Sequence, residues 1–287
     1  MAQSLGPLNS HCRDVEIVLT KTSNPSTAER GATVLTRKVI PVLLYHSVPR
    51  ARNPSDSLAV PCEQFAAHLD TIIASGRTPV TVGELAAGFR DECRLPDRAV
   101  AITFDDAYEN TLDAIELLRA SGLRASVYVT TGQIDTESML RRDQLEQLAA
   151  CPDGVELGAH SVTHPRLDEL SPAEIEREVS DSKWRLEQLV GRTINTFAYP
   201  YGNYDRRVRA AVIAAGYRSA AAVKNALSHR GDDPWAIARW TVCSTTSPQQ
   251  IARVLDGLDV PYAWRHERLR TRGYRIARRL RRRIGRS

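Results

Sequence analysis

AVAITFDDAYEN, residues 99–110, sets six apolar or β-branched residues directly before two adjacent carboxylates, Asp105 and Asp106. An unbroken apolar run of this length reads as a strand covered on both faces, and helical spacing resumes behind it through Leu117. The same change of period recurs along the chain. Strands are expected over 39–45, 99–104, 125–130, 155–159, 193–199, 217–223 and 236–242, and helices over 65–74, 82–87, 110–121, 142–150, 172–190, 205–215 and 248–258. Strand and helix in alternation are the mark of βα units around a parallel sheet. The expected fold is therefore α/β, a distorted (β/α) barrel of about seven parallel strands. One helix has both ends written in the sequence: Ser171 precedes Pro172, Glu174 stands at the third helical position, and Gly191 follows the last apolar residue.

With 42% hydrophobic and 25% charged residues over 287 positions, the chain has the composition of a soluble globular protein and not of a disordered one. Its five cysteines are scattered without a CxxC pair, which excludes a disulfide framework and a thiolate zinc site and fits a reducing compartment. No long apolar run follows a basic start, so neither a secretory signal nor a membrane span is expected, and the location reads as cytoplasmic. KTSNPSTAERG, residues 21–31, is polar and aperiodic. The expected organisation is an N-terminal extension and linker over 1–33, a catalytic domain over 34–262 and a basic amphipathic tail over 263–287.

Carboxyl ends of barrel strands face the functional cleft. Here they carry Tyr45 and His46, then Asp105 and Asp106, then His160, then Tyr199, Pro200 and Tyr201. Either Asp alone also suits the start of a helix. The pair gains weight from GAHSVTHP, residues 158–165, where His160 and His164 stand four apart and can meet on one cation. Asp106 completes a carboxylate and two imidazoles, a set that leaves room for water and so suits catalysis. The spacing is that of the metalloprotease HExxH helix, but Ser161 occupies the place of the glutamate base. Asp105 is then the candidate base, within reach of a water whose proton the cation makes acidic. Two His and one carboxylate also describe non-haem iron sites; ligands at βα junctions and a spare Asp weigh toward hydrolysis.

TFDD at 103–106, HSVTH at 160–164 and FAYPYG at 197–202 resemble, in kind and order, the first three motifs of the polysaccharide deacetylase family, also called NodB-like or carbohydrate esterase family 4. PVLLYHSV at 41–48, LSPAEIEREVSDSKWRLEQLVG at 170–191 and AAGYRSA at 214–220 extend the resemblance over 39–242. The resemblance implies removal of N-acetyl groups from an acetylated amino sugar with a divalent cation, zinc first, cobalt or nickel as alternatives. It implies Asp105 as base, Asp106, His160 and His164 as ligands, and the backbone N–H of Tyr201 as a donor to the developing oxyanion. His46, Tyr199, Pro200 and Tyr201 are expected against the substrate.

Three departures stand out. Ala107 replaces a usual glycine, and Ala198 replaces an arginine that orients the base; Arg239, on the last strand, is the candidate substitute. The late Leu-His motif that supplies the general acid is not evident after Val242. His229 is the candidate proton donor, while His46 stands either beside the reacting groups or hydrogen-bonded beneath them. Competing readings are a hydrolase of the same fold acting on a non-sugar amide or ester, and a sugar-binding protein that has lost turnover.

The formal net charge of +5 hides a mildly acidic body, because residues 265–287 hold eleven Arg and one Glu. Leu269, Ile276, Leu280 and Ile284 fall on one stripe of this segment. Such a tail suits peripheral contact with an anionic membrane, here the inner face. No aromatic platform or reading motif accompanies the charge, so nucleic acid is not the expected partner.

Overall fold

The computed structural model describes residues 39–151 and 154–263. The expected extension over 1–33 and the tail from residue 264 onward lie outside the described residues.

In chain order the elements are β1 (Val39–Ile40), β2 (Val42–Tyr45), α1 (Cys62–Ala74), β3 (Thr78–Pro79), α2 (Val82–Phe89), β4 (Ala99–Phe104), α3 (Thr111–Ala120), β5 (Ala125–Val129), α4 (Arg142–Ala150), β6 (Val155–Ala159), α5 (Pro172–Val190), β7 (Thr196–Ala198), α6 (Arg206–Ala214), β8 (Ser219–Val223), β9 (Ser228–His229), β10 (Ile237–Thr241) and α7 (Pro248–Leu255). Seven parallel strands close a ring in the order β2, β10, β8, β7, β6, β5, β4, and β4 returns to β2 through the register Val42 to Ala101 and Tyr45 to Phe104. This is the (β/α) barrel that the strand and helix alternation implies.

Alternation along each strand divides the apolar residues into two sets. From β4, Val100, Ile102 and Phe104 face outward and join the large cluster between strands and helices, which also holds Leu43, Leu157, Phe197 and Val179. Ala99 and Ala101 face inward with Val42, Tyr128, Ala198, Ala221 and Ile237. Val82, Leu85 and Ala86 of α2 join this inner set. The inward side chains of β4, β7 and β8 are small, which leaves space inside the barrel for Tyr128 and for one long charged residue.

The differences from the sequence expectation have local causes. The expected strand over 39–45 is split at Pro41, which has no N–H for a ladder. The two halves then do different work, because β1 pairs antiparallel with β9, Val39 against His229, while β2 enters the barrel. β3 and β9 are two residues each, too short to show a period. α7 stops at Leu255 and not at Leu258, since the chain turns at Gly257 with φ 77°. α5 has the ends its sequence specifies: the Ser171 side chain accepts from Glu174 N, and Gly191 closes the helix at φ 65°. No helix among the described residues is long and apolar enough to cross a membrane.

Candidate active site

Five strands, β2, β4, β6, β7 and β10, bring the candidate functional side chains together at one end of the barrel. Asp105 follows β4 on the inward side, in phase with Ala99, Ala101 and Thr103, and is 3% exposed. Strict alternation would turn Asp106 outward. The backbone instead goes left-handed at Asp106 (φ 69°) and Ala107 (φ 62°), which swings the second carboxylate into the same cleft. Ser161 (φ 67°), His164 (φ 58°) and Tyr201 (φ 58°) share this conformation, so half of the ten non-glycine positive-φ residues described lie in one place. Each costs about 1–2 kcal/mol, and strain gathered this way marks a site that the surrounding fold holds in place.

The ligand atoms converge. His164 Nε2 lies 3.4 Å from Asp106 Oδ1 and 3.2 Å from His160 Nε2, and His160 Nε2 lies 3.7 Å from Asp106 Oδ1. Asp106, His160 and His164 each offer one ligand atom within 4.8 Å of the others. The carbonyl of Ala198 accepts from His160 Nδ1 at 2.8 Å. A carbonyl can only accept, so the proton sits on Nδ1 and the Nε2 lone pair faces the cluster. Burial drives the His160 pKa down to about 3 against the pull of Asp105, and it lowers His164 as well. The His160 Nε2 lone pair, with His164 Nε2 3.2 Å from it and a carboxylate oxygen beside both, forms a donor set that fits a divalent cation.

Asp105 is held differently. Arg239, fully buried on β10, grips it with two parallel hydrogen bonds, Nη1 to Oδ1 at 2.6 Å and Nη2 to Oδ2 at 2.8 Å. The guanidinium also lies over the Tyr128 ring at 5.4 Å, filling the space that the inner alanines leave. Burial alone would raise the Asp105 pKa, but Arg239 and then His160 outweigh it and hold the carboxyl well below its usual range. Asp106 goes the other way, pushed up to about 6 chiefly by burial and further by the charge of Asp105. The two adjacent carboxylates thus differ in charge affinity, as two groups with separate tasks should.

The loop carrying His164 is pinned from outside. Glu178 of α5 accepts from the N–H groups of Val162 and Thr163, both at 2.9 Å, and from the Thr163 hydroxyl at 2.7 Å. Ser161 Oγ accepts from His164 N at 3.0 Å, and Gly132 N donates to the Val162 carbonyl at 2.8 Å. A Cβ at Gly132 would stand 2.5 Å from that carbonyl oxygen, so the close approach needs glycine. Tyr108 hydrogen-bonds Asp106 from the adjoining turn. Neither Glu178 nor Tyr108 is a candidate on sequence grounds: Glu178 is one of several exposed-looking acids on α5, and nothing in its spacing announces a loop grip.

His46 follows β2, with a buried Nδ1 that has no hydrogen-bond partner, and it is close enough for its charge to act on both carboxylates. The Tyr201 ring lies 4.6 Å from the His164 ring. Pro200 is buried at the start of the short 3-10 turn that carries Tyr201.

Two expectations are corrected. Tyr199 is fully buried, stacked on Tyr204 at 4.6 Å, with its hydroxyl given to the Trp235 carbonyl, so it belongs to the core and does not face substrate. His229 pairs with β1, at the amino ends of the strands and away from the cluster; its Nδ1 accepts from Gly231 N and its Nε2 lies 3.3 Å from the Ala263 carbonyl. It cannot serve a leaving group at the carboxyl ends.

Residues 93–220 match the sequence model of the polysaccharide deacetylase family, a span that includes TFDD, HSVTH and FAYPYG. Over that span the chain is similar to the polysaccharide deacetylase family. The chain is similar to YxkH of Bacillus subtilis, a protein described as a polysaccharide deacetylase, at 26% identity over 201 residues, 70% of each chain. The barrel is similar to that of the Streptococcus pyogenes deacetylase PplD, solved with acetate, with TM-score 0.70 at 21% identity over 76% of this chain and 98% of that one. It is also similar to IcaB of Ammonifex degensii, with TM-score 0.67 at 21% identity over 76% and 97%. These likenesses establish the polysaccharide deacetylase fold. His46 and Arg239 both fall outside the span that matches the family model.

Proposed function

We propose that this protein is a metal-dependent hydrolase that removes the N-acetyl group from an acetylated amino sugar, releasing acetate and a free amine. The observation that carries the reading is the pairing of Asp105 with buried Arg239 beside the convergent Asp106, His160 and His164. The three ligand atoms would hold one divalent cation, Zn2+ foremost, with Co2+ or Ni2+ as alternatives. When bound, the cation supplies Lewis acidity, acidifying a water and polarising the acetamido carbonyl.

The chain's own groups do the rest. Asp105, ionised throughout the physiological range, takes a proton from the attacking water, and Arg239 fixes the carboxylate so that only its approach to that water is allowed. Tyr201, on its strained turn, offers its backbone N–H to the charge that develops on the carbonyl oxygen. His46 hands a proton to the departing amine; its buried Nδ1 has no hydrogen-bond partner, and it follows a strand adjoining β4 and β10. This reading closes both gaps that favoured a binding protein without turnover, since Arg239 stands in for the absent arginine and His46 for the absent late histidine.

Acetate release from N-acetylglucosamine oligomers by the cation-loaded protein tests the activity, with Asp105→Asn as the inactive control. His46→Gln tests the donor separately. Amide turnover should fall by about 10²–10⁴-fold, while hydrolysis of an aryl acetate, whose leaving group needs no proton, should fall far less. Equal losses on both would remove His46 from the donor role.

A further inference from the structure

Three side chains meet in sequence at the edge of the site. The His164 ring meets the Tyr201 ring at 4.6 Å, tilted by 58°, and the guanidinium of Arg166 lies over the Tyr201 ring, with Cζ 4.4 Å from its centroid. Arg166 is half-buried, follows His164 by two residues, and its charge reaches His164. Several neighbouring arginines on the same end of the barrel are paired: Arg50 with Asp113, Arg141 with Glu109 and Asp143, and Arg207 with Asp205, while Arg52, Arg142 and Arg206 are exposed to solvent. Arg166 has no carboxylate partner among the described residues.

Stacking uses only the face of a guanidinium. Its edge keeps N–H donors in the fork that matches a carboxylate or phosphate, and the tyrosine beneath restricts its rotation before any ligand arrives. A half-buried cation left without a counter-charge, one aromatic layer from the candidate metal ligands, is poised to take that charge from what binds there. The distance suits a substituent on the sugar being deacetylated or on its immediate neighbour.

We propose that Arg166 recognises an anionic group on the substrate, so that the acetylated amino sugar handled here carries a carboxylate or a phosphate. The inference rests on the deacetylase reading for the identity of the sugar, but the recognition is a binding property and can fail or stand independently.

The test compares a neutral N-acetylglucosamine oligomer with size-matched analogues that bear a carboxylate or a phosphate, on the full chain, the Arg166→Gln variant and the Arg166→Lys variant. Equilibrium binding to the cation-free protein, by calorimetry, is measured beside acetate release. For the parent chain, one charged analogue should bind about tenfold to a hundredfold more tightly than the neutral sugar, as a charge-assisted hydrogen bond allows. Arg166→Gln should lose most of that preference, chiefly in KM and not in kcat, with partial recovery in Arg166→Lys. Which analogue shows the loss tells carboxylate from phosphate. A parent chain without preference for either charged analogue overturns the proposal. So does an equal loss on charged and neutral sugars in Arg166→Gln, because that is what a residue serving only to prop Tyr201 would produce. A charge preference without acetate release would uphold Arg166 and reject the deacetylase reading instead.

Discussion

Arg239 and Asp105 lie 134 positions apart and form a fully buried, bidentate ion pair. Removing one partner of such a pair strands the other in an apolar interior, at about 3–5 kcal/mol. Arg239→Met should therefore abolish turnover and also lower Tm by roughly 10 °C in thermal melts, at about 2–4 °C per kcal/mol for a domain this size. Adding Asp105→Asn to Arg239→Met should restore much of the lost stability and none of the activity, which a double-mutant cycle reads directly. A double variant that melts no higher than Arg239→Met alone would show the two residues to be energetically independent. Asp106 yields a second expectation. Its pKa, raised to about 6 by burial and then by Asp105, means that the cation-free site carries a proton below that pH and sheds it above. A cation needs the ionised form, so binding displaces a proton only on the acid side. Calorimetric titration with Zn2+ should give an affinity that is flat above pH 7 and falls by about tenfold per unit as pH drops below 6. His160, neutral down to about pH 3, adds no comparable loss in that range.

At the scale of elements, the HSVTH turn depends on α5 more than on its own strand. Glu178 takes three hydrogen bonds from Val162 and Thr163, and no other described side chain holds that turn so fully. Glu178→Ala leaves two backbone N–H groups to find water, and it should weaken cation binding by about 10–100-fold, in line with loss of an outer partner of metal ligands. Competition against a chelator checks this, with circular dichroism to confirm an intact barrel. Unchanged affinity would mean that the left-handed turns at Ser161 and His164 hold themselves. How much of this was legible in the sequence follows from period and spacing. Strand β4, α4, β6 and α5 show unbroken patterns and clear stops, and they stand where the pattern puts them. The Asp pair and the His pair are legible because their residue types sit at strand ends with ligand spacing. Arg239 is half legible, as an inward position in phase with Ile237. Glu178, Tyr108 and the core role of Tyr199 are not, because they depend on which helix face meets which loop, a relation that one-dimensional spacing does not encode. Tyr199 misleads for the same reason: it borders Pro200 and Tyr201 in sequence, yet its ring turns to Tyr204 and Trp235.

The whole molecule has two ends with different tasks. The candidate catalytic groups gather at the carboxyl ends of the strands, while β1, β9 and Ala263 lie together at the amino ends, Ala263 N donating to the Leu227 carbonyl at 2.8 Å. Among residues 265–287, which lie outside the described residues, eleven are Arg. We propose that this basic segment holds a cytoplasmic protein peripherally against the anionic inner face of a membrane. Each arginine near such a surface contributes about 1 kcal/mol, screened beyond a Debye length. The full chain should float with vesicles that contain anionic lipid, come off as salt rises, and ignore vesicles of neutral lipid. A chain ending at residue 264 should remain in the soluble fraction with every lipid composition. Because the truncation removes none of the candidate site residues, it should leave acetate release from a soluble oligosaccharide unchanged. Flotation that persists after the truncation would refute the membrane role of the tail, and a loss of turnover on the soluble substrate would show that turnover depends on the tail.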